Sequence, residues 1–248
     1  MRVNIIGFGT VGRAQEVLLK KLGHQVFVFD PYVFPEVKTP EKNVDLTFIC
    51  APGNVVPEAV RLLKEQGVLG LYVIKSTVPI GSADQLAEDF NIHLLSNPEF
   101  LREDHASEDV LNPDRIIIGQ CCCEHAQLLS SLYAPIQKPI YITSRSEAEA
   151  AKLLSNAYLS VLITFWNEAD ELTNKLKINS KEVARLVCSD VRMSSYGTSK
   201  FGHPYDGKCL PMCMDELIAA FRGAGLNPML LEAARTYNSR IKKPHDNT

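Results

Sequence analysis

The chain has 248 residues, 46% hydrophobic and 22% charged, with a formal net charge of -3; that length suffices for one large domain, or a standard domain plus a smaller one, of ordinary globular composition. The slight acidic balance provides no basic field for a polyanion, which excludes nucleic acid as a partner. Apolar runs such as 26–29 and 46–50 are far too short to cross a bilayer, which excludes a membrane partner of that kind.

The N-terminus enters a strand pattern at once and has no signal-peptide layout, so a cytoplasmic protein is expected. Short apolar runs predict strands at 3–6, 25–29, 46–50, 71–74, 92–95, 115–118 and 140–142, with helical patterns between most of them, for example 11–22 and 55–66. That alternation predicts an α/β fold: a Rossmann-type, doubly wound parallel sheet over residues 1–145. From 146 to about 175 the chain has no Gly or Pro and reads as one long helix, about 45 Å at the α-helical rise, with Leu153, Ala157, Val161 and Phe165 as its apolar stripe. A helix of 180–188 follows, with Ser180 as N-cap. Residues 196–208 read as a loop rich in Gly, Ser and Pro. Helices at 214–221 and 228–238 and a frayed tail at 242–248 complete a helical domain over 146–248.

Seven cysteines (Cys50, Cys121, Cys122, Cys123, Cys188, Cys209 and Cys213) form neither a secreted disulfide framework nor a paired C-x-x-C zinc pattern. The run Cys121 to Cys123 reads as a strand end and loop in a reducing compartment, and no metal is expected.

The strand at 3–6 runs into Gly7-Phe8-Gly9-Thr10-Val11-Gly12, which opens a helix. In that context G-x-G-x-x-G is a dinucleotide fingerprint: Gly7 permits the tight turn, Gly9 the approach of the pyrophosphate, and Gly12 close packing of helix on strand. Thr10 and Val11 lie in the first helical turn, whose N–H groups face the phosphates. Asp30 ends the second strand, where a carboxylate accepts from ribose hydroxyls and repels a 2′-phosphate, so NAD is expected rather than NADP. Ala51 and Pro52 end the third strand, at the edge of the same crevice.

Further segments resemble the UDP-glucose/GDP-mannose dehydrogenase family, on its UDP-glucose 6-dehydrogenase side. They are Ile74-Lys75-Ser76-Thr77-Val78-Pro79, Asn97-Pro98-Glu99-Phe100-Leu101-Arg102-Glu103, Asn112-Pro113-Asp114-Arg115-Ile116-Ile117-Ile118-Gly119, Lys152-Leu153-Leu154-Ser155-Asn156, Phe165-Trp166-Asn167-Glu168 and Gly207-Lys208-Cys209-Leu210-Pro211, in order along nearly the whole chain. The resemblance implies NAD-dependent, four-electron oxidation of the primary alcohol of a nucleotide sugar to a carboxylate. Cys209 is then the nucleophile that forms a thiohemiacetal and a thioester. Lys152 and Asn156, spaced i, i+4 on one helix face, steady the oxyanions. Glu103 handles the hydrolytic water, Glu99 orders the site, and Thr77 holds a water beside the cofactor. Phe100, Leu101, Arg102, Tyr205 and Gly207, with Lys152 and Asn156, contact the substrate. It also implies a homodimer through the long helix.

Three positions depart from the family pattern. Cys213 stands where the family has an Asp, Pro204 and Asp206 replace glycines of the loop before the cysteine, and the sequence ends where the family's C-terminal nucleotide-sugar domain begins. Two alternatives therefore stay open. One is a two-electron alcohol or 3-hydroxyacid dehydrogenase that uses Lys152 as acid/base on a smaller alcohol. The other is an NAD-binding homologue without turnover.

Overall fold

The computed structural model describes residues 1–241. Two compact units divide the chain, Met1–Lys152 and Leu153–Thr248. The first is organised around a sheet of strands β1 (Arg2–Ile6), β2 (Gln25–Phe29), β3 (Leu46–Ile49), β4 (Leu71–Ile74), β5 (Leu94–Ser96), β6 (Ile116–Gln120) and β7 (Ile140–Ser144), in the spatial order β2-β1-β3-β4-β5-β6-β7.

Alternation of side chains across the pleat explains the double winding. Leu46 and Phe48 of β3 and Val73 of β4 face one core cluster, shared with helices α1 (Thr10–Lys21), α4 (Ala106–Leu111) and α5 (Cys123–Tyr133). Ile49, Tyr72 and Ile74 face the opposite cluster, shared with α2 (Val56–Glu65) and α3 (Ser82–Phe90). Strands covered on both faces are buried along their whole length, as β3 and β4 are.

The sheet departs from the all-parallel expectation at one seam. β5 and β6 pair antiparallel, with Ser96 opposite Gly119, and β7 pairs parallel to β6. A parallel return needs a crossover helix along the sheet. The link from β5 to β6 carries only the six-residue α4, which packs against α1.

Helix α6 (Arg145–Lys175) opens on a capping box: the Ser144 hydroxyl accepts from the Glu147 N–H at 3.2 Å while the Glu147 carboxylate accepts from the Ser144 N–H at 2.8 Å. Within the second unit its buried residues are Leu153, Asn156, Ala157, Ser160, Ile163, Thr164, Trp166, Asn167 and Thr173. The expected stripe at strict four-residue steps drifts off this face, because four residues overshoot one turn by about 40°. Phe165 consequently stands 56% exposed.

The second unit continues with α7 (Ser180–Val187), α8 (Cys209–Gly223) and α9 (Met229–Asn238). The N-cap of α7 is Asn179 rather than Ser180: its side chain accepts from the N–H groups of Lys181 and Glu182. Helix α8 begins five residues before the expected 214, at Cys209. Pro211 reads as a breaker in sequence, yet in a first helical turn its missing N–H costs nothing, since those donors have no intrahelical partner. The expected tail at 242–248 lies outside the described residues.

Candidate functional site

The cofactor end of the first unit is built from strand C-termini. Gly7, directly after β1, has φ +90°, and a Cβ on it would lie 2.7 Å from the Ala51 nitrogen beyond β3. A Cβ on Gly12 would lie 2.1 Å from the Gly7 carbonyl oxygen, so α1 can rest on the loop only without a side chain there. Gly9, the N-cap of α1, faces open space, and Thr10 and Val11 form the first turn behind it. A Cβ on Gly53 would lie 2.2 Å from the Thr77 carbonyl, so the loop carrying Ala51 and Pro52 abuts the segment carrying Thr77. This cradle, with an open glycine at a helix N-terminus, fits a dinucleotide pyrophosphate. Asp30 tethers the loop: one carboxylate oxygen accepts from the Phe8 N–H at 2.7 Å, the other from the N–H groups of Tyr32 and Val33.

Beside it lies a buried polar cluster. The Lys152 ammonium, on α6, donates to Glu99 at 2.9 Å, and both side chains are less than a tenth exposed. The other Glu99 oxygen accepts from the Leu101 N–H at 2.6 Å, bending the Pro98-to-Arg102 segment around the carboxylate. Lys152 also lies 5.3 Å from the centre of the Phe100 ring, whose other neighbour is the Arg115 guanidinium at 4.3 Å.

Sequence reasoning did not give roles to Lys75, Asn97 and Tyr133, which extend this cluster. Lys75 donates to Asn97 Oδ1 at 3.1 Å, the Tyr133 hydroxyl donates to the same oxygen at 2.6 Å, and Asn97 donates to the Ile117 carbonyl at 2.7 Å. Burial lowers the Lys75 ammonium to about 8 and raises Tyr133 above the ordinary phenol range. Lys75 and Asn97 stand inside family-like motifs, which was the available signal; that both are buried polar groups joined across neighbouring strands was not.

Other expected residues take separate places. Arg102 turns to Asp109, donating through Nε at 3.0 Å and through Nη2 at 2.6 Å. Glu103 is exposed at the start of a 3-10 turn, Glu103–His105, and the non-helical backbone before it removes the helical i, i+4 relation to Glu99. Glu149, also unassigned from sequence, is buried and accepts from the N–H groups of Gly81 and Ala83, capping the N-terminus of α3. Burial raises its carboxyl to about 7.

In the second unit Asn156 and Cys213 meet: the Asn156 amide donates to the Cys213 sulfur at 3.2 Å, and Cys213 is fully buried. Cys213 packs with Leu153, Ala157 and Leu217, so it occupies an apolar niche rather than a carboxylate's. Asp215 does not replace the absent acid, since it pairs with Arg235 at 3.0 Å. Cys209 is the exposed first residue of α8. A helix N-terminus favours negative charge developing on sulfur there. Gly207, exposed with φ +74°, sets the turn that leads into α8. Tyr205 departs from its expected substrate contact. Its side chain is 4% exposed among Ile163, Met214 and Ile218, while Asn238 bonds both its N–H and its carbonyl, which makes it a packing residue.

Residues 30–137 match the NAD binding domain of the UDP-glucose/GDP-mannose dehydrogenase family, and residues 146–240 match its central domain. The chain is 34% identical over 203 residues to the UDP-glucose 6-dehydrogenase of Streptococcus pneumoniae, covering 73% of this chain and 51% of that protein. Against that of Bacillus subtilis it is 30% identical over 273 residues, covering 88% and 61%. It thus spans little more than half the length of these relatives. A UDP-glucose dehydrogenase structure from Pyrobaculum islandicum superposes with a TM-score of 0.87 at 26% identity, covering 96% of this chain and 68% of that one. A Mycobacterium tuberculosis 3-hydroxyisobutyrate dehydrogenase superposes at 0.78 over 96% of this chain and 92% of its own, at 16% identity, which is a likeness of fold. Among the described residues no helix is long and apolar enough to cross a membrane. With both domain matches in chain order and the Lys152–Glu99 pair seated in its motifs, the chain belongs to the UDP-glucose/GDP-mannose dehydrogenase family.

Proposed function

We propose that the chain oxidises the primary alcohol of a UDP-glucose-like nucleotide sugar to the carboxylate, in the cytoplasm, through a cysteine-linked intermediate. The observation that carries this reading is that a chain matching both family domains carries a dinucleotide cradle in its first unit and, in its second, an exposed cysteine at a helix N-terminus. NAD, held by the Gly7-to-Gly12 loop, Asp30 and the Ala51-Pro52 segment, would supply the hydride acceptor for both oxidations. The alcohol first becomes an aldehyde; the Cys209 sulfur then adds to the carbonyl carbon, forming a C–S bond and a thiohemiacetal. Loss of the second hydride gives the thioester. Water then breaks the C–S bond, so that alcohol, two NAD and water yield carboxylate, two NADH and three protons. Asn156 and Lys152 stabilise the oxyanions in this scheme, and Thr77 and Glu103 serve the waters.

The long helix supports a homodimer as part of the same proposal. Leu154, Tyr158, Phe165 and Leu172 recur along one side of α6 and are all at least half exposed, and an apolar stripe of this kind suits a second copy. Light scattering at micromolar concentration tests it, and a monomer there ends that part of the reading.

The decisive experiment follows NADH absorbance with UDP-glucose and related sugar nucleotides, wild type beside Cys209→Ala. Two NADH per sugar, lost in the variant, is the expected result. One NADH per substrate, indifferent to the substitution, would instead support a two-electron dehydrogenase. NAD binding without turnover on any of them would defeat the proposed reaction.

A further inference from the structure

The antiparallel seam of the sheet creates a constellation of residues that have no role in the proposed reaction. Because Ser96 of β5 lies opposite Gly119 of β6, the residues entering β5 meet those leaving β6. His93, just before β5, is thereby brought to Cys121 and Cys122, just after β6. Cys122 is the N-cap of α5 and His125 lies in that helix's first turn, three residues on, so both project from one side of it.

The four ligand atoms converge within 4.8 Å of one another. Cys121 Sγ lies 3.8 Å from His93 Nδ1, 3.8 Å from Cys122 Sγ and 3.4 Å from His125 Nδ1, and Cys122 Sγ lies 3.1 Å from His125 Nδ1. In a tetrahedral zinc site, bonds of about 2.3 Å to sulfur and about 2.0–2.1 Å to nitrogen separate the ligand atoms by roughly 3.4–3.8 Å. The two imidazole rings stand 4.5 Å apart, tilted by 57°, so they converge on a point rather than stacking face to face. Hydrogen bonding alone accounts poorly for this gathering, since thiols are weak donors and weak acceptors.

We propose that His93, Cys121, Cys122 and His125 bind one Zn2+ as a closed, structural site. Two thiolates neutralise the dication, two imidazoles complete the tetrahedron, and no position remains for a substrate, which is the pattern of a structural rather than a catalytic zinc. Without metal, burial raises the Cys121 thiol and the neighbouring sulfur raises it further; a bound dication reverses that and releases the protons. The metal clips the start of β5 to the end of β6 and the start of α5, at the one place where the sheet changes direction. The spacing escaped sequence analysis because C-C-x-x-H supplies three ligands and the fourth lies 28 residues upstream of Cys121.

The test is metal titration of the full chain after chelation under reducing conditions, first with Co2+ and then with Zn2+. The expected result is one Co2+ per chain with intense tetrahedral d–d absorption and a thiolate-to-cobalt charge-transfer band, displaced by one equivalent of Zn2+, and a higher Tm with zinc than without. Cys122→Ser and His125→Ala should each weaken binding more than the ~10–100-fold that loss of an outer-shell partner costs a metal site, while Cys188→Ser leaves it unchanged. A weak octahedral cobalt spectrum, no saturation at one equivalent, or equal affinity in a Cys121→Ser/Cys122→Ser double variant would overturn the site. Should the cysteine variants fail to fold, the unmodified chain still decides through the charge-transfer band, and His93→Ala, at an exposed position, ties the signal to this cluster.

Discussion

Two glycine-bearing loops of this chain obey different constraints. In the loop between β1 and α1, a Cβ on Gly7 or Gly12 would collide with backbone, so packing dictates the residue type. In the loop leading to α8, Gly202 has φ +72° and a Cβ there would meet nothing within 4 Å, so glycine serves only the turn. Packing holds a loop to its sequence, whereas a turn alone leaves room for change. The second loop carries Pro204 and Asp206, with Cys213 beyond it. The dinucleotide cradle is thus the loop in which packing restricts the residue type.

The sharpest break of this comparison is at the buried pair. Lys152→Met strands the Glu99 carboxylate beneath the surface and should cost about 3–5 kcal/mol of folding stability by denaturant titration. Lys152→Met with Glu99→Met should recover most of it; if the double variant is no better than the single, the pair is not what holds this segment. Next come the glycines themselves. Gly12→Ala should weaken NAD at least ~10-fold by calorimetry, because α1 must retreat from the loop that its N-terminus serves. Gly202→Ala should cost only the ~1–2 kcal/mol of a left-handed residue and leave NAD affinity intact. Equal effects of the two would erase the distinction. Cys213→Asp sharpens it from the other side: burying a carboxylate in an apolar niche, with the Asn156 amide as its donor, should cost about 3–5 kcal/mol, as an uncompensated buried charge does. If the family acid assists hydrolysis, the same variant should release the thioester faster in single-turnover assays.

The smallest effect is a pH dependence. Burial raises Glu149 from 4.5 to about 7. Between those values the unfolded chain has released this proton and the folded chain retains it, so this group's contribution to stability falls as pH rises from about 4.5 to about 7. Glu149→Gln should flatten that part of the stability profile; a variant with the wild-type slope would show that the two α3 N–H donors keep the carboxylate ionised throughout.

Local pattern made much of the first unit legible. β2 and β4 begin and end where their apolar runs do, and the glycine fingerprint lies where strand, turn and helix require. What pattern could not convey were pairings between distant segments. The reversal at β6 depends on how the chain returns after β5, and neither Lys75 with Asn97 nor His93 with Cys121 is adjacent in sequence. In the helical unit the misplacements were local conflicts. The first turn of α8, from Cys209, lay ahead of the expected start at 214, and Phe165 fitted a four-residue step that the true helical pitch leaves behind. At the site, motifs marked Glu99, Lys152, Asn156 and Cys209, but only coordinates reveal that Glu99 is the partner of Lys152 and that Tyr205 belongs to the core.

The reversed seam also bears on how the sheet holds together. Its ladder registers a single residue pair, against five between β6 and β7. Opening β6, α5 and β7 together therefore sacrifices few inter-strand bonds while preserving those inside the segment, which defines a cooperative subunit of the fold able to open before global unfolding. The buried Asn97 side chain, bonded to the Ile117 carbonyl across that seam, substitutes for part of the missing ladder.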